Sequence, residues 1–323
     1  MNVLVTGGAG YIGSICTEKL LDSGHSVAVY DDLSEGHRSA VDARARFVLA
    51  RPDTDNDISQ AVQAAKPEAI LHFAANALVG ESMANPGKYF RNNVANGLKL
   101  LEAAVATGVK KFVFSSTCAT YGPPDQLPMT EELPQRPINP YGESKLMFER
   151  MLRWYHQLRG LEFVVFRYFN AAGASEKFGE HHRPETHLIP NVLKVPLGQS
   201  DHCEIYGTDY PTPDGTCIRD YIHISDLADA HLLAMQPGKQ GFYNLGNGDG
   251  YSVRQVIQMC EQVTGTKITA HEKPRRPGDP PKLVASAQKA IRELGWKPRY
   301  PSLEDIVKTA WAWQKKHPKG YPD

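Results

Sequence analysis

Apolar positions in the first 170 residues follow two alternating rhythms. Short unbroken runs, Val3-Leu4-Val5, Val27-Ala28-Val29-Tyr30, Phe47-Val48-Leu49, Ala69-Ile70-Leu71-His72-Phe73, Lys111-Phe112-Val113-Phe114 and Phe163-Val164-Val165-Phe166, lack the polar alternation of a half-solvated strand. Runs of that kind suit strands covered on both faces. Between them the apolar period is helical. Ile12, Ile15, Cys16 and Leu20 share a face within 11–23, which Gly24 ends; 58–65 stops before Pro67; Val94, Leu98, Leu101 and Val105 share a face within 89–107; 141–158 is a further helix. Strands separated by helices predict an α/β fold with a doubly wound parallel sheet.

The texture changes after about residue 172. Pro, Gly and His become frequent, as in Arg183-Pro184-Glu185-Thr186-His187 and Tyr210-Pro211-Thr212-Pro213-Asp214-Gly215. Helical patterns at 188–197, 252–264 and 303–317 are joined by long loops. Residues 1–172 are expected to form a cofactor domain and 173–323 a smaller, mixed α/β substrate domain. The segments near 220–246 are expected to return to the sheet.

Composition narrows the function. The 323 residues are 41% hydrophobic and 22% charged, and Lys plus Arg (36) balances Asp plus Glu (36). A neutral chain presents no field to draw nucleic acid or anionic lipid. No apolar run approaches the ~20 residues of a membrane span. Residues 1–6 lead straight into glycines without the pattern of a signal peptide, so a cytoplasmic protein is expected. Five cysteines form no CxxC and read as reduced thiols.

The first strand runs into Gly7-Gly8-Ala9-Gly10-Tyr11-Ile12-Gly13 and then a helix. Glycines permit close backbone approach to a pyrophosphate, and the helix N-terminus offers free N–H groups. The second strand ends in Asp31-Asp32, where a carboxylate accepts ribose hydroxyls and repels a 2′-phosphate. Together these predict bound NAD, held at Gly7, Gly10, Tyr11, Ile12, Gly13, Asp31 and Asp32. Tyr141 and Lys145 open a later helix, four residues apart and so on one face. They follow a strand ending in Ser115-Ser116-Thr117, at the edge where ligands of doubly wound sheets bind. Ionising a tyrosine of pKa ~10 at pH 7 costs about 4 kcal/mol. One cation ~4 Å away supplies a similar amount at an effective dielectric of ~20.

These residues, with His72-Phe73-Ala74-Ala75, Val79-Gly80-Glu81-Ser82, Asn92-Asn93-Val94, Tyr121-Gly122, Arg167-Tyr168-Phe169-Asn170, Asp214-Gly215-Thr216-Cys217-Ile218-Arg219-Asp220-Tyr221-Ile222-His223, Tyr243-Asn244-Leu245-Gly246, Arg275-Arg276-Pro277-Gly278-Asp279 and the final seven residues, resemble the extended short-chain dehydrogenase/reductase family. The resemblance covers essentially the whole chain. It is strongest to members that invert C4 of UDP-hexoses, and it implies a Rossmann-like cofactor domain and a homodimer through the helices of 89–107 and 141–158. It implies reversible UDP-glucose/UDP-galactose epimerisation through a 4-keto sugar, with transient hydride transfer to NAD. Tyr141 is then the base and acid at O4, Lys145 holds the nicotinamide ribose and lowers the Tyr141 pKa, and Thr117 bonds O4. Phe73, Ala74, Asn93, Ser115 and Tyr168 join the cofactor site. Asn170, Arg219 and Arg276 hold the diphosphate, Asp279 the uridine ribose, and Leu188 with Glu204-Ile205-Tyr206 flank the uracil. Leu283, seven residues beyond Arg276, falls on the wall opposite the sugar and predicts weak activity on N-acetylated UDP-hexoses.

Three departures stand out. Arg51-Pro52-Asp53 replaces a Gly-Asp pair whose Asp bonds adenine, Ala77 replaces a Lys after the His-Phe-Ala motif, and Ala171 replaces a Pro. The rival chemistries fare worse. A nucleotide-sugar dehydratase needs an Asp-Glu pair after the catalytic Thr, and a UDP-glucuronate decarboxylase a nearby Glu. Cys118-Ala119-Thr120 supplies neither. A catalytically silent NAD sensor has no use for Thr117, Tyr141 and Lys145. The His-rich stretch 180–187 matches no metal-spacing motif, and no metal is expected.

Overall fold

The computed structural model describes residues 1–50, 57–276 and 278–323. The expected strands form as β1 (Asn2–Thr6), β2 (Ser26–Asp31), β3 (Arg46–Leu49), β4 (Ala69–His72), β5 (Lys111–Thr117) and β6 (Glu162–Tyr168). Four short strands follow, β7 (Asn170–Ala172), β8 (Cys203–Tyr206), β9 (Ile218–Arg219) and β10 (Tyr221–His223). Then come β11 (Gly241–Leu245), β12 (Tyr251–Ser252), β13 (Ala270–Lys273) and β14 (Lys282–Leu283). The main sheet has the order β11-β6-β5-β4-β1-β2-β3, and every pairing in it is parallel. Strand β1 lies between β2 and β4, so the winding reverses there and opens a crevice at the strands' C-terminal ends.

Each strand sends alternate residues into two different cores. Val3, Val5, Leu71, Val113, Val164 and Phe166 pack on one face with the helices Tyr11–Asp22 and Ile224–Ala234. Leu4, Ile70, Phe112, Phe114, Phe163 and Val165 pack on the other with Asp57–Ala65, Gly97–Ala106 and Pro140–Arg159. This explains the unbroken apolar runs, because no strand position in the middle of the sheet faces water. A third core, among Leu188–Leu193, Val253–Thr264 and Leu303–Lys316, supports the smaller lobe. There β13 pairs with β8, while β9 lies between β12 and β14. No helix among the described residues is long and apolar enough to cross a membrane.

One expected helix is built differently. Residues 89–107 comprise the end of a short helix, Pro86–Tyr89, a π-helical stretch, Phe90–Asn96, and the α-helix Gly97–Ala106. The wider turn rotates the face presented to the core. Asn93, Gly97, Leu100, Leu101 and Ala104 are buried, whereas Val94, Leu98 and Val105 are only half-buried.

Candidate active site

The crevice is a cavity of about 1620 Å³ between the sheet's C-terminal edge and the smaller lobe. Its floor is the glycine loop. Gly7 has φ +73°, and a Cβ there would lie 2.5 Å from the Ala74 nitrogen. A Cβ on Gly13 would overlap the Gly7 carbonyl oxygen. Both glycines are therefore required by backbone packed against backbone. Gly10 precedes the first turn of Tyr11–Asp22 without any side-chain cap, so that turn's N–H groups face the cavity floor.

Asp31, at the end of β2, is buried. Its Oδ2 accepts from the Ala9 N–H at 2.9 Å and its Oδ1 from the Leu33 N–H at 2.9 Å. Burial pushes its carboxyl above the usual range, against the pull of those two N–H groups. Each carboxylate oxygen has a further lone pair for a ribose hydroxyl. Asp32 is exposed and caps its own turn through Ser34.

The expected catalytic residues Thr117, Tyr141 and Lys145 stand on β5 and the helix Pro140–Arg159. Asn139 accepts from the Gly142 N–H at 2.8 Å and fixes the start of that helix, with Pro140 in its first turn. Tyr141 and Lys145 follow on one face. Lys145 is 2% exposed. Its Nζ donates to the Ser115 carbonyl at 2.7 Å and lies 6.0 Å from the centre of the Tyr141 ring. Burial draws Lys145 down to about 7, with Glu149 opposing. Burial pushes Tyr141 up to about 12, while a hydrogen bond with Thr117 pulls the other way. Burial outweighs the Thr117 hydrogen bond, so with the protein's own groups alone the phenol is raised, which corrects the lowering expected from Lys145. Cys118, next to Thr117, is held neutral by burial, which raises its thiol to about 11.

Every residue expected to hold NAD or substrate lines this cavity except Asn93 and Ile205, whose side chain is buried in the smaller lobe's core. The Asn93 amide is committed elsewhere: Oδ1 accepts from the Asn76 N–H, and Nδ2 donates to the Asn76 carbonyl and the Ser144 hydroxyl. It fixes the loop after β4 to the helix of Tyr141. Phe73 and Ala74 donate their N–H groups to the Thr6 carbonyl, and the Tyr168 hydroxyl bonds His231 Nε2 at 2.5 Å. At the far end Arg219 is ion-paired with Asp279, and the Arg276 guanidinium stacks 4.1 Å over the Tyr206 ring. Tyr206 also donates to Glu204, and Asn170 donates to the Asp220 carbonyl at 2.9 Å. Leu283 lines the wall and packs toward Tyr121, Met129 and Phe169. Ala77 lines the cavity where a lysine was a possible contact, and Asp53 lies outside the described residues.

Sequence reasoning assigned no role to several supporting residues. Glu149 and Arg167 are each 1% exposed and form a two-pronged ion pair. The Glu149 Oε1 also accepts from Ser116, next to the Ser115 that holds Lys145. Its place four residues after Lys145 was the available signal. Asp220, fully buried, accepts from the N–H groups of Asn247, Gly248 and Ala285, which ties the strand of Arg219 to the segment after Leu283.

The match to a family model described as the NAD dependent epimerase/dehydratase family runs over residues 3–246. The chain belongs to this family. It is 50% identical to the UDP-glucose 4-epimerase of Halalkalibacterium halodurans over 99% of this chain and 98% of that one. A crystal structure of a UDP-glucose 4-epimerase superposes with a TM-score of 0.96 at 49% identity, covering 99% of each chain. The Bifidobacterium longum UDP-glucose 4-epimerase in complex with NAD+ and UDP superposes at 0.95 with 38% identity, over 99% of this chain and 100% of that one. As an NAD dependent epimerase/dehydratase, the chain takes NAD as its cofactor, and the expected extended short-chain fold is the observed one. The glycine floor and the Asp31 carboxylate fit that group. Between the family's two chemistries, the residues after Thr117 decide. A neutral thiol and Ala119 stand where elimination needs an acid and a base.

Proposed function

We propose that the chain interconverts UDP-galactose and UDP-glucose by inverting C4 of the hexose. One observation carries this reading: Tyr141 is bonded to Thr117 and stands beside Lys145, with no carboxylate pair after Thr117. Thr117 and Tyr141 hold O4, and Tyr141 takes its proton. When bound, NAD would supply the hydride acceptor and donor for C4. Lys145, fixed by the Ser115 carbonyl, orients the nicotinamide ribose. Tyr141 then gives the proton back to O4. Burial raises the Tyr141 phenol to about 12, and the positive charge that oxidised NAD would bring favours the phenolate.

The grip is on the nucleotide. Arg219, Arg276 and Asn170 take the diphosphate, matching guanidinium forks to phosphate oxygens. Asp279 takes the uridine ribose, so binding UDP must divide the Arg219–Asp279 ion pair between the two ligand parts. Leu188, Glu204 and Tyr206 flank the uracil. Binding energy placed far from C4 leaves the keto sugar free to turn over. Leu283 has no polar atom for an acetamido group and takes up wall space, so UDP-N-acetylhexosamines react ten- to a hundred-fold more slowly, the scale of a ~1–3 kcal/mol overpacking.

The same reading divides the chain into a cofactor lobe, 1–172 with β11, and a UDP-sugar lobe built from most of 173–323. It also makes the protein a homodimer. On the helix Pro140–Arg159, Met147, Met151, Trp154 and Leu158 recur at one helical face, and Trp154 and Leu158 remain 60% and 67% exposed. The half-buried Val94 and Leu98 add apolar surface on the neighbouring helix. A cytoplasmic setting suits the five free thiols. The test is a panel of UDP-sugars followed by NMR. UDP-galactose and UDP-glucose should reach the same mixture from either side without net NADH. A 4-keto-6-deoxy product, or NADH released in proportion to substrate, contradicts the reading.

A further inference from the structure

The stretch 180–187 has no part in the chemistry above, yet the fold gathers four of its side chains. Donor atoms of Glu180, His182, Glu185 and His187 all lie within 4.8 Å of one another. His182 Nδ1 is 3.3 Å from Glu180 Oε1 and 3.4 Å from Glu185 Oε2. His187 Nδ1 also contacts Glu180 Oε1. An ion bound tetrahedrally at ~2.0–2.1 Å sets its donors about 3.3 Å apart, so the two His182 separations are those of neighbouring ligands.

The donors are also aimed. Glu185 Oε1 accepts from the N–H groups of Thr186 (2.8 Å) and His187 (2.9 Å), which turns Oε2 toward His182. Backbone partners of this kind orient metal-ligating carboxylates. Both carboxylates are withdrawn from water, with side chains 6% and 7% exposed. Two buried carboxylates facing two imidazoles require two positive charges. Two protons can supply them, and so can one divalent ion.

We propose that Glu180, His182, Glu185 and His187 form a binding site for one divalent cation of the zinc class. Imidazole donors select against magnesium and calcium, which prefer all-oxygen shells. Four protein donors leave no open position, so the ion acts as a clamp rather than as a Lewis acid. Its place explains the use of a clamp. His187 immediately precedes Leu188–Leu193, whose first residue flanks the uracil, and the His182 ring stands edge-on to Tyr11 of the glycine loop at 6.1 Å. The ion would hold the nucleotide lobe's entry segment against the cofactor floor. The sequence reading expected no metal because the ligand spacing matches no familiar motif; the fold places the four groups together.

Cobalt titration tests this without recourse to catalysis. Untagged protein is dialysed against a chelator, then titrated with Co2+ and back-titrated with Zn2+. One Co2+ per chain should bind with the intense ligand-field absorption of a four-coordinate site, lack a sulfur-to-cobalt charge-transfer band, and be displaced by Zn2+. Zn2+ should also raise the thermal midpoint. His182→Ala and His187→Ala should abolish both effects, and the isosteric Glu185→Gln should weaken Co2+ at least ten-fold while retaining NAD as a check of folding. Failure of the wild-type protein to bind Co2+ saturably, a weak six-coordinate spectrum, a thiolate band, or undiminished binding by the histidine variants would each overturn the proposal.

Discussion

Tyr141 and Lys145 stand one helical turn apart, and burial moves their proton affinities in opposite directions. Lys145 sits at about 7, below its ordinary 10.5. Between those values the unfolded chain holds the proton and the folded chain has released it, so this group's contribution to stability rises with pH through that window. Below pH 7 both states are protonated and the burial cost is fully expressed. Relative to Lys145→Met, the wild-type protein stripped of cofactor should therefore gain stability between pH 7 and about 9.5, on the order of a few kcal/mol. Urea titrations at several pH values check this. Parallel pH profiles for the two proteins would show that Lys145 is not held neutral by burial. The pair itself was legible in the sequence as two residues on one helix face. The direction in which Tyr141 moves was not, because spacing reveals a neighbouring cation but says nothing of how much water the fold removes.

The supporting contacts bind the helix of Tyr141 and Lys145 to the strands beside it. The Glu149–Arg167 ion pair joins the helix Pro140–Arg159 to β6, and Ser116 joins it to β5. Removing one partner leaves the other charge buried and unpaired. Glu149→Ala should therefore cost about 3–5 kcal/mol of stability, with Glu149→Gln costing less because the amide keeps an acceptor for Arg167. Denaturant unfolding of both variants measures the difference. Losses equal to those of an exposed-site variant would remove the ion pair from the account. The strands were legible at this scale because parallel strands buried on both faces leave unbroken apolar runs, as in Phe112-Val113-Phe114. The phase of the helix after β4 was not. The π-helical turn at Phe90–Asn96 rotates the core face from Val94 and Leu98 to Gly97 and Leu100, and no residue type in that stretch announces the extra residue in the turn.

Across the whole molecule, one cavity lies between the sheet edge and the smaller lobe, and the proposed dimer would cover the apolar face of the helix Pro140–Arg159. Trp154→Lys with Leu158→Glu should convert the dimer to monomer, read by sedimentation velocity, because charges on that stripe cannot be buried unpaired. A wild-type monomer, or a variant dimer of unchanged affinity, would contradict the assignment of that face. The proposed nucleotide contacts of Arg219, Arg276 and Asp279 rest on motifs legible in the sequence, whereas the Glu180–His187 constellation was not legible, since its donors converge only when the lobe is assembled. The central claim is that one phenol moves the O4 proton while the nucleotide site only holds the substrate. Turnover of UDP-galactose by Tyr141→Phe, measured with UDP affinity in the same preparation, tests it most directly. The account predicts turnover lower by about 10²–10⁴-fold, the scale of a positioned acid–base group, with UDP affinity little changed. Turnover within a few-fold of the wild-type rate would contradict it.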